Sequence, residues 1–299
     1  MLYDITLFGV LGSRDSVIIL TDNDKLETAR LIQSESAPFV KRIDVINLDD
    51  AVDYSLIYAL EPADLLVLHI GIESWMGRHR YIARAFDKPE GIASKYICIR
   101  PTITARALLE GLDTPLEVAD SVIAKYTSLN DDTPIRVMSK AGTDITLTPY
   151  SPWAIPYITN APGSNAYLPP AEVSYSVRQG SACGIIIADV TVGELRVNND
   201  LVDNFGLVDA PVTLMIENGD IVEITGGAIA RKLRRELWKL PAACRKLVEF
   251  GVGLSVMTPT GVIGIDESIA GTCHFGFGSG SGNDAPIHLD VVVSAFSVR

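Results

Sequence analysis

The sequence predicts an α/β chain in two parts, a small open α/β domain over residues 1–132 and a mixed α+β, β-rich domain over residues 133–299. Three observations carry this. Short β-branched runs alternate with helix-spaced segments in the first part. Six of the sixteen prolines fall between Pro149 and Pro170. From Val173 onward strand patterns outnumber helical ones. In the first part, Ser16–Thr21, Ile43–Leu48, Leu65–His69 and Tyr96–Arg100 have the apolar character of buried strands in a mostly parallel sheet. Between them, Lys25–Ser34 and Pro115–Leu129 repeat apolar residues at helical spacing. Gly9 and Gly12 precede the first strand and no Gly-x-Gly-x-x-Gly follows it, which argues against dinucleotide binding. Asn130–Pro134 is a turn-rich boundary ahead of a further strand, and Pro149–Pro170 reads as a hinge.

In the second part Val173–Val177, Gly184–Val190, Val212–Glu217 and Ile221–Thr225 read as strands. The last two flank Asn218-Gly219-Asp220, where Asn-Gly suits the positive-φ positions of a type I′ hairpin turn. A helix is expected from Gly227 to about Leu240. A second is expected from Pro241, a favoured first helical position, to near Glu249, ending before Gly251 and Gly253. Ile287–Phe296 closes the chain as a strand.

Composition narrows the function. A formal charge of −12 argues against a groove that tracks nucleic-acid phosphates, which needs clustered Lys and Arg. Cys98, Cys183, Cys244 and Cys273 are widely spaced and form no Cys-x-x-Cys, so neither a disulfide framework nor a thiolate zinc site is indicated. The N-terminus lacks a basic leader, and no apolar run approaches the ~18 residues of a membrane span. A cytoplasmic protein without membrane or nucleic-acid partners is the expectation.

Half of the four histidines lie near the C-terminus. His288 and Asp290 are two apart in a strand-like run, so both point to one face while Ile287, Leu289 and Val291 line the other. Such a pair can chelate one ion. His274 alternates in the same way, with Gly276 and Gly278 beside it on one face and Cys273, Phe275 and Phe277 on the opposite face. That leaves room for an ion or a substrate.

Taken in order, Ala141–Leu147, Leu168–Val173, Pro211–Gly227, Val248–Gly253, Asp266–His274 and His288–Asp290 resemble the motifs of the metallo-aminopeptidase family that includes aminopeptidases T and S. The resemblance implies two divalent ions (Zn, Co or Mn) held by Glu172, Glu249, His274, His288 and Asp290. It also implies hydrolysis of an amide bond next to a free amine by a metal-activated hydroxide. Glu172 and Glu249 are then the candidates for proton transfer, the substrate is a small molecule or short peptide, and the assembly is a homodimer, with residues around Trp153 and Tyr157 available for that contact. Two divalent ions and a bridging hydroxide balance three carboxylates, which a partly buried site tolerates. The family's tyrosine shortly after the position of His274 has no counterpart, because no tyrosine follows Tyr175. The same residues also resemble the iron-dependent 2,5-dihydroxypyridine ring-cleaving dioxygenases. In that alternative His274, His288 and Asp290 form a facial triad around one Fe(II), and Glu172 or Glu249 serves as general base. A degenerate, non-catalytic metal-binding protein is a third reading.

Other polar residues have plainer expectations. Asp266 and Glu267 read as a turn and helix-start acid pair. His69 ends a strand at a sheet's carboxyl edge, where ligands often lie, though a strand-end histidine needs no function. His79 lies in an aromatic and basic cluster, Trp75–Tyr81, read as a solvated helix face. Lys232, Arg234 and Arg235 also read as a solvated face, and Gly278–Gly282 as a tight connection over the site, since no Lys-Ser/Thr follows to make it a phosphate loop.

Overall fold

The computed structural model describes residues 16–38, 40–50, 65–80, 82, 95–112, 114–127, 129, 132–154, 165–169, 171–280 and 282–299. Contacts divide the chain into two compact units, Met1–Leu116 with Ile155–Ala171, and Glu117–Ala154 with Glu172–Arg299. The chain therefore crosses between units three times, whereas the sequence reading placed one cut at residue 132.

In chain order, β1 (Ser16–Thr21), α1 (Leu26–Ser36), β2 (Arg42–Asn47), β3 (Leu65–His69), β4 (Lys95–Ile99) and α2 (Ala105–Leu112) belong to the first unit. Then come α3 (Leu116–Tyr126), β5 (Ile135–Ser139), β6 (Asp144–Leu147) and β7 (Pro149–Ala154), followed by β8 (Asn165–Leu168), which returns to the first unit. Its sheet runs β2-β1-β3-β4-β8, and every pairing is parallel. Leu20, Leu48, Leu66, Leu68, Ile70 and Ile82 form its core. The fully apolar runs that suggested buried strands are what a parallel sheet requires. Residues 155–164 of the expected hinge lie outside the described residues, as do Tyr157 and the side chain of Trp153.

The second unit continues with β9 (Glu172–Val177), β10 (Cys183–Ala188), β11 (Thr191–Val197), β12 (Asp200–Leu207), β13 (Val212–Glu217), β14 (Asp220–Gly226) and α4 (Ala228–Leu237). It ends with β15 (Leu247–Gly253), α5 (Ile263–Asp266), β16 (Thr272–Gly280), β17 (Asn283–Ser294) and β18 (Phe296–Val298). Two antiparallel sheets result: six strands ordered β14-β13-β10-β6-β5-β18, and seven ordered β12-β11-β17-β16-β15-β9-β7. On the larger sheet Val173, Tyr175, Phe250, Val252, Cys273, Phe275, Phe277, Leu289, Val291 and Val293 are all buried. Their register places them on one face. Phe250 and Phe275 meet there with ring centroids 5.6 Å apart. Each such ring contributes about 1.5–3 kcal/mol by leaving water. The opposite face of the same strands carries the polar side chains.

One expectation is corrected. The segment after Pro241 is not a helix reaching Glu249: a single 3-10 turn, Ala242–Arg245, gives way to β15 at Leu247. The reason is visible in the residues. Val248, Phe250 and Val252 are buried while Glu249, Gly251 and Gly253 alternate with them, a period of two rather than 3.6. The β11–β12 hairpin was not anticipated. Its turn residues Asn198 and Asn199 have φ of 50° and 76°, the positive-φ pair of a type I′ turn, and Asn-Asn is a weaker sign of it than Asn-Gly. All four cysteines are free thiols. No helix among the described residues is long and apolar enough to cross a membrane.

Candidate metal centre

Four adjacent strands build the polar face. Across the ladders Glu172 faces Gly253, Ser174 and His274 flank Gly251, Glu249 and Asp290 flank Gly276, and His288 faces Gly278. Each donor therefore has a glycine as its lateral neighbour. A Cβ on Gly251 would fall within 2.5 Å of His274 Cε1, His274 Nε2 and Ser174 Oγ. One on Gly276 would lie 2.8 Å from Asp290 Oδ1, 2.9 Å from Glu249 Cβ and 3.0 Å from His288 Cε1. The glycines are the space in which the imidazoles and carboxylates converge. A register shift between Leu247 and Glu249 turns Glu249 onto this face while Leu247 and Phe250 stay buried.

The donors meet at short range. His274 Nε2 is 2.8 Å from Glu172 Oε2 and 3.8 Å from Glu249 Oε1. His288 Nε2 is 3.3 Å from Glu249 Oε2 and 3.2 Å from Asp290 Oδ1. Ser174 Oγ donates to Glu172 Oε2 at 2.7 Å and fixes that carboxylate. His288 Nδ1 is 2.7 Å from the carbonyl of Ser279, so it donates its proton there and leaves Nε2 turned toward the carboxylates. The residues fall into three overlapping groups whose donor atoms lie within 4.8 Å of one another: Glu172, Glu249 and His274; Glu249, His288 and Asp290; and Glu267, His274 and Asp290. Asp290 Oδ1 is buried, with His288 Nε2 3.2 Å away. Four carboxylates gathered around two imidazoles, more negative charge than the two rings can balance, fit a divalent cation. Substituting Gly251→Ala should push His274 out of place. Metal affinity should fall by about 10–100-fold and stability by about 1–3 kcal/mol, read by metal titration and thermal melts. Gly77→Ala is the control, since nothing lies within 4 Å of its Cβ position.

The charges of the metal-free site hold one another in place. Burial alone would raise the Glu249 carboxyl, but hydrogen bonds from His274 and His288 outweigh it and hold the group at about 2, from 4.5. Burial opposes a charged His274. Even so, the charge of Glu172, hydrogen bonds to Glu172 and Glu249, and the charge of Glu267 lift its imidazole well above 6.5. The charge of Asp290 lifts His288 in the same direction against burial, with help from Glu249. A raised histidine stabilises the fold fully below its unfolded value of 6.5 and loses that contribution as pH climbs through the folded value. The depressed Glu249 stabilises above 4.5 and loses its contribution as pH falls toward 2. So far as these groups decide, the metal-free protein should be most stable between 4.5 and 6.5. An ion must displace the imidazole protons, so metal binding should release protons and tighten as pH rises above 6.5. Melts with and without metal across that span, together with indicator-dye proton release, check both signs.

The other polar residues sort clearly. Asp266 does not start a helix, as its place in the sequence suggests, but ends α5 with Glu267 next after it, and it is not solvated. It is fully buried, and its oxygens accept from Thr260 N at 2.7 Å, Thr260 Oγ1 at 3.2 Å, Gly261 N at 2.8 Å and the Thr191 hydroxyl. Its neighbour Glu267 reaches the site, and the sign for it was its place seven residues before His274 in the same motif. His79 is not a solvated residue either. It is buried with Nε2 3.1 Å from Asp49, which Arg78 also contacts at 2.7 Å. His69 is buried in the first unit, where burial and the charge of Lys25 push it down to about 4. Lys232 pairs with Asp203 at 2.6 Å on an exposed face.

Comparison with known proteins places this geometry. A family model described as NicX, 2,5-dihydroxypyridine 5,6-dioxygenase, matches residues 102–254, just over half of the chain. The chain belongs to this family. The matched stretch contains Glu172 and Glu249 and stops short of His274, His288 and Asp290, which the sheet register brings beside them. Among solved structures, the 2,5-dihydroxypyridine dioxygenase of Pseudomonas putida KT2440 is similar over 100% of this chain and 92% of its own, at 19% identity and a TM-score of 0.64. AmpT of Thermus thermophilus, an aminopeptidase T, is similar over 99% of this chain and 93% of its own, at 15% identity and a TM-score of 0.55. At these identities the likeness is one of fold, and the fold is shared by the two families that the sequence motifs resemble. No curated protein matches the sequence.

Proposed function

We propose that this member of the NicX family is a metal-dependent dioxygenase that opens the ring of a small dihydroxylated nitrogen heteroaromatic. The observation that carries the reading is that His274, His288 and Asp290 share one glycine-lined face, with Asp290 grouped within 4.8 Å of a donor atom of each imidazole, in a chain of that family. These three would hold one Fe(II), which supplies the redox couple and open positions that non-haem iron oxygenases use. Glu249, 3.8 Å from one imidazole and 3.3 Å from the other, would take a proton from a substrate hydroxyl. Glu172, fixed by Ser174, holds His274 in orientation.

A second reading has its own support. Glu249 and Asp290 each belong to two of the three donor groups, as bridging carboxylates would in a dinuclear hydrolase that cleaves an amide next to a free amine. The metal content of protein purified without chelator decides between them. One iron per chain with O₂ uptake on 2,5-dihydroxypyridine supports the dioxygenase. Two Zn, Co or Mn ions with amine release from aminoacyl test substrates supports the hydrolase. Neither tight metal nor turnover would leave a non-catalytic scaffold and sink both. A homodimer in a reducing cytoplasm is part of the proposal, with light scattering as its check.

A further inference from the structure

Beyond Glu172, Glu249, His274, His288 and Asp290, the fold brings a sixth donor residue, Glu267, to the polar face. Glu267 follows α5 directly, and its N–H donates to Ile263 O at 3.0 Å, so its backbone continues the helical turn. The preceding residue, Asp266, is pinned by four hydrogen bonds from Thr191, Thr260 and Gly261, and its carbonyl accepts from Thr272 Oγ1 at 3.4 Å. The segment is tied to the sheet again by Ala270 N–H to Ser255 O at 2.7 Å and by bridges of Ala270 to Gly253 and Ile269 to Ser255. Gly253 makes this possible, since a Cβ there would collide with the Ile269 backbone. Glu267 is thereby carried over the polar face, half-buried, with a carboxylate oxygen within 4.8 Å of donor atoms of His274 and Asp290.

The Glu267 carboxylate stands beside that of Asp290, and an ion between them would relieve their mutual repulsion. We propose that Glu267 donates a carboxylate oxygen to the ion held by His274 and Asp290, so that the centre carries a further acidic ligand beyond the five donors of the sequence motifs. This rests on the metal-centre reading of the same face. An added carboxylate makes the donor set harder, which favours Mn(II) over Zn(II) relative to a set richer in imidazole. Glu267 is thus a determinant of which metal the centre selects.

The test uses the full-length, metal-free protein, titrated with Mn(II) by the electron paramagnetic resonance signal of the free ion and with Co(II) by its visible absorption. Wild type should bind both. Glu267→Gln should bind Mn(II) about 10–100-fold more weakly, lose less affinity for Zn(II), and show a changed Co(II) spectrum, in a variant whose metal-free form still melts cooperatively. Equal Mn(II) affinity and an identical Co(II) spectrum in the variant, with wild type binding normally, would overturn the inference and leave the metal centre standing. No Mn(II) or Co(II) binding by wild type would overturn both. Should Glu267→Gln fail to fold, Glu267→Asp keeps the charge and withdraws the oxygen by one methylene. A shifted Co(II) spectrum then supports the role, and an unshifted one rejects it.

Discussion

Glu249→Gln should lower turnover by about 10²–10⁴-fold while leaving the fold intact, and the ion count of the variant should tell the two enzymatic readings apart. Glu249 lies between the imidazoles, 3.8 Å from His274 Nε2 and 3.3 Å from His288 Nε2. If one Fe(II) is held by His274, His288 and Asp290, the glutamine changes the group that takes the substrate proton and leaves the ligands in place. Iron content should then stay near that of wild type. If Glu249 bridges two ions, the same change removes a ligand from each, and the variant should retain fewer ions per chain. The amide keeps the size of the side chain and one acceptor oxygen. Packing beside Gly276 is therefore preserved, while the metal-free variant should lose the stability that the Glu249 charge supplies above pH 4.5. Steady-state kinetics and metal analysis on one preparation check it. Wild-type turnover in the variant would remove Glu249 from the chemistry under either reading.

Much of this site was legible in the sequence because strand periodicity is short-range information. The i, i+2 spacing of His288 and Asp290, and of His274 with Gly276 and Gly278, specifies a common face before any fold is known. The strands of the first unit were legible for a related reason, since a parallel sheet buries both faces and leaves continuous apolar runs. Two things were not legible. The position of Glu249 depends on an irregular pairing between Leu247 and Glu249, and a helix drawn from Pro241 absorbed the alternation that marks β15. The return of β8 to the first sheet depends on pairing with β4, some seventy residues earlier in the chain, for which local pattern carries no signal. The glycines illustrate the same limit. Gly251 and Gly253 look like helix stops one at a time, and only the register shows each as the gap beside a functional side chain, whereas the spacing alone marked Gly276 as space beside His274.

Asp266→Asn should destabilise the protein by about 3 kcal/mol or more, a large effect for an isosteric change. The carboxylate is fully buried and receives four donors: two backbone N–H groups, from Thr260 and Gly261, and two hydroxyls, from Thr191 and Thr260. An amide turns one acceptor oxygen into an NH₂. Whichever oxygen is replaced, a backbone N–H donor is left facing another donor: Thr260 N on the Oδ1 side or Gly261 N on the Oδ2 side. Each lost charge-assisted bond is worth about 1.5–3 kcal/mol, and a buried donor left unsatisfied costs about 1–3 more. The affected segment, Thr260–Thr272, leads directly into β16 and carries both Glu267 and the approach to His274. Denaturant unfolding of the metal-free protein should show the loss without any ion present, and metal affinity should fall in parallel because Glu267 and His274 lose their common support. Thr191→Val, which removes one of the four donors and leaves the carboxylate otherwise bonded, should cost about 1 kcal/mol. A cycle with Asp266→Asn should show the two coupled, since both act on one hydrogen bond. A solvated turn acid, by contrast, would change stability by no more than about 0.5 kcal/mol on the same substitution. A result that small would mean that the carboxylate is not the anchor of this segment, and that Glu267 is held over the metal face by the Ser255 and Gly253 contacts alone.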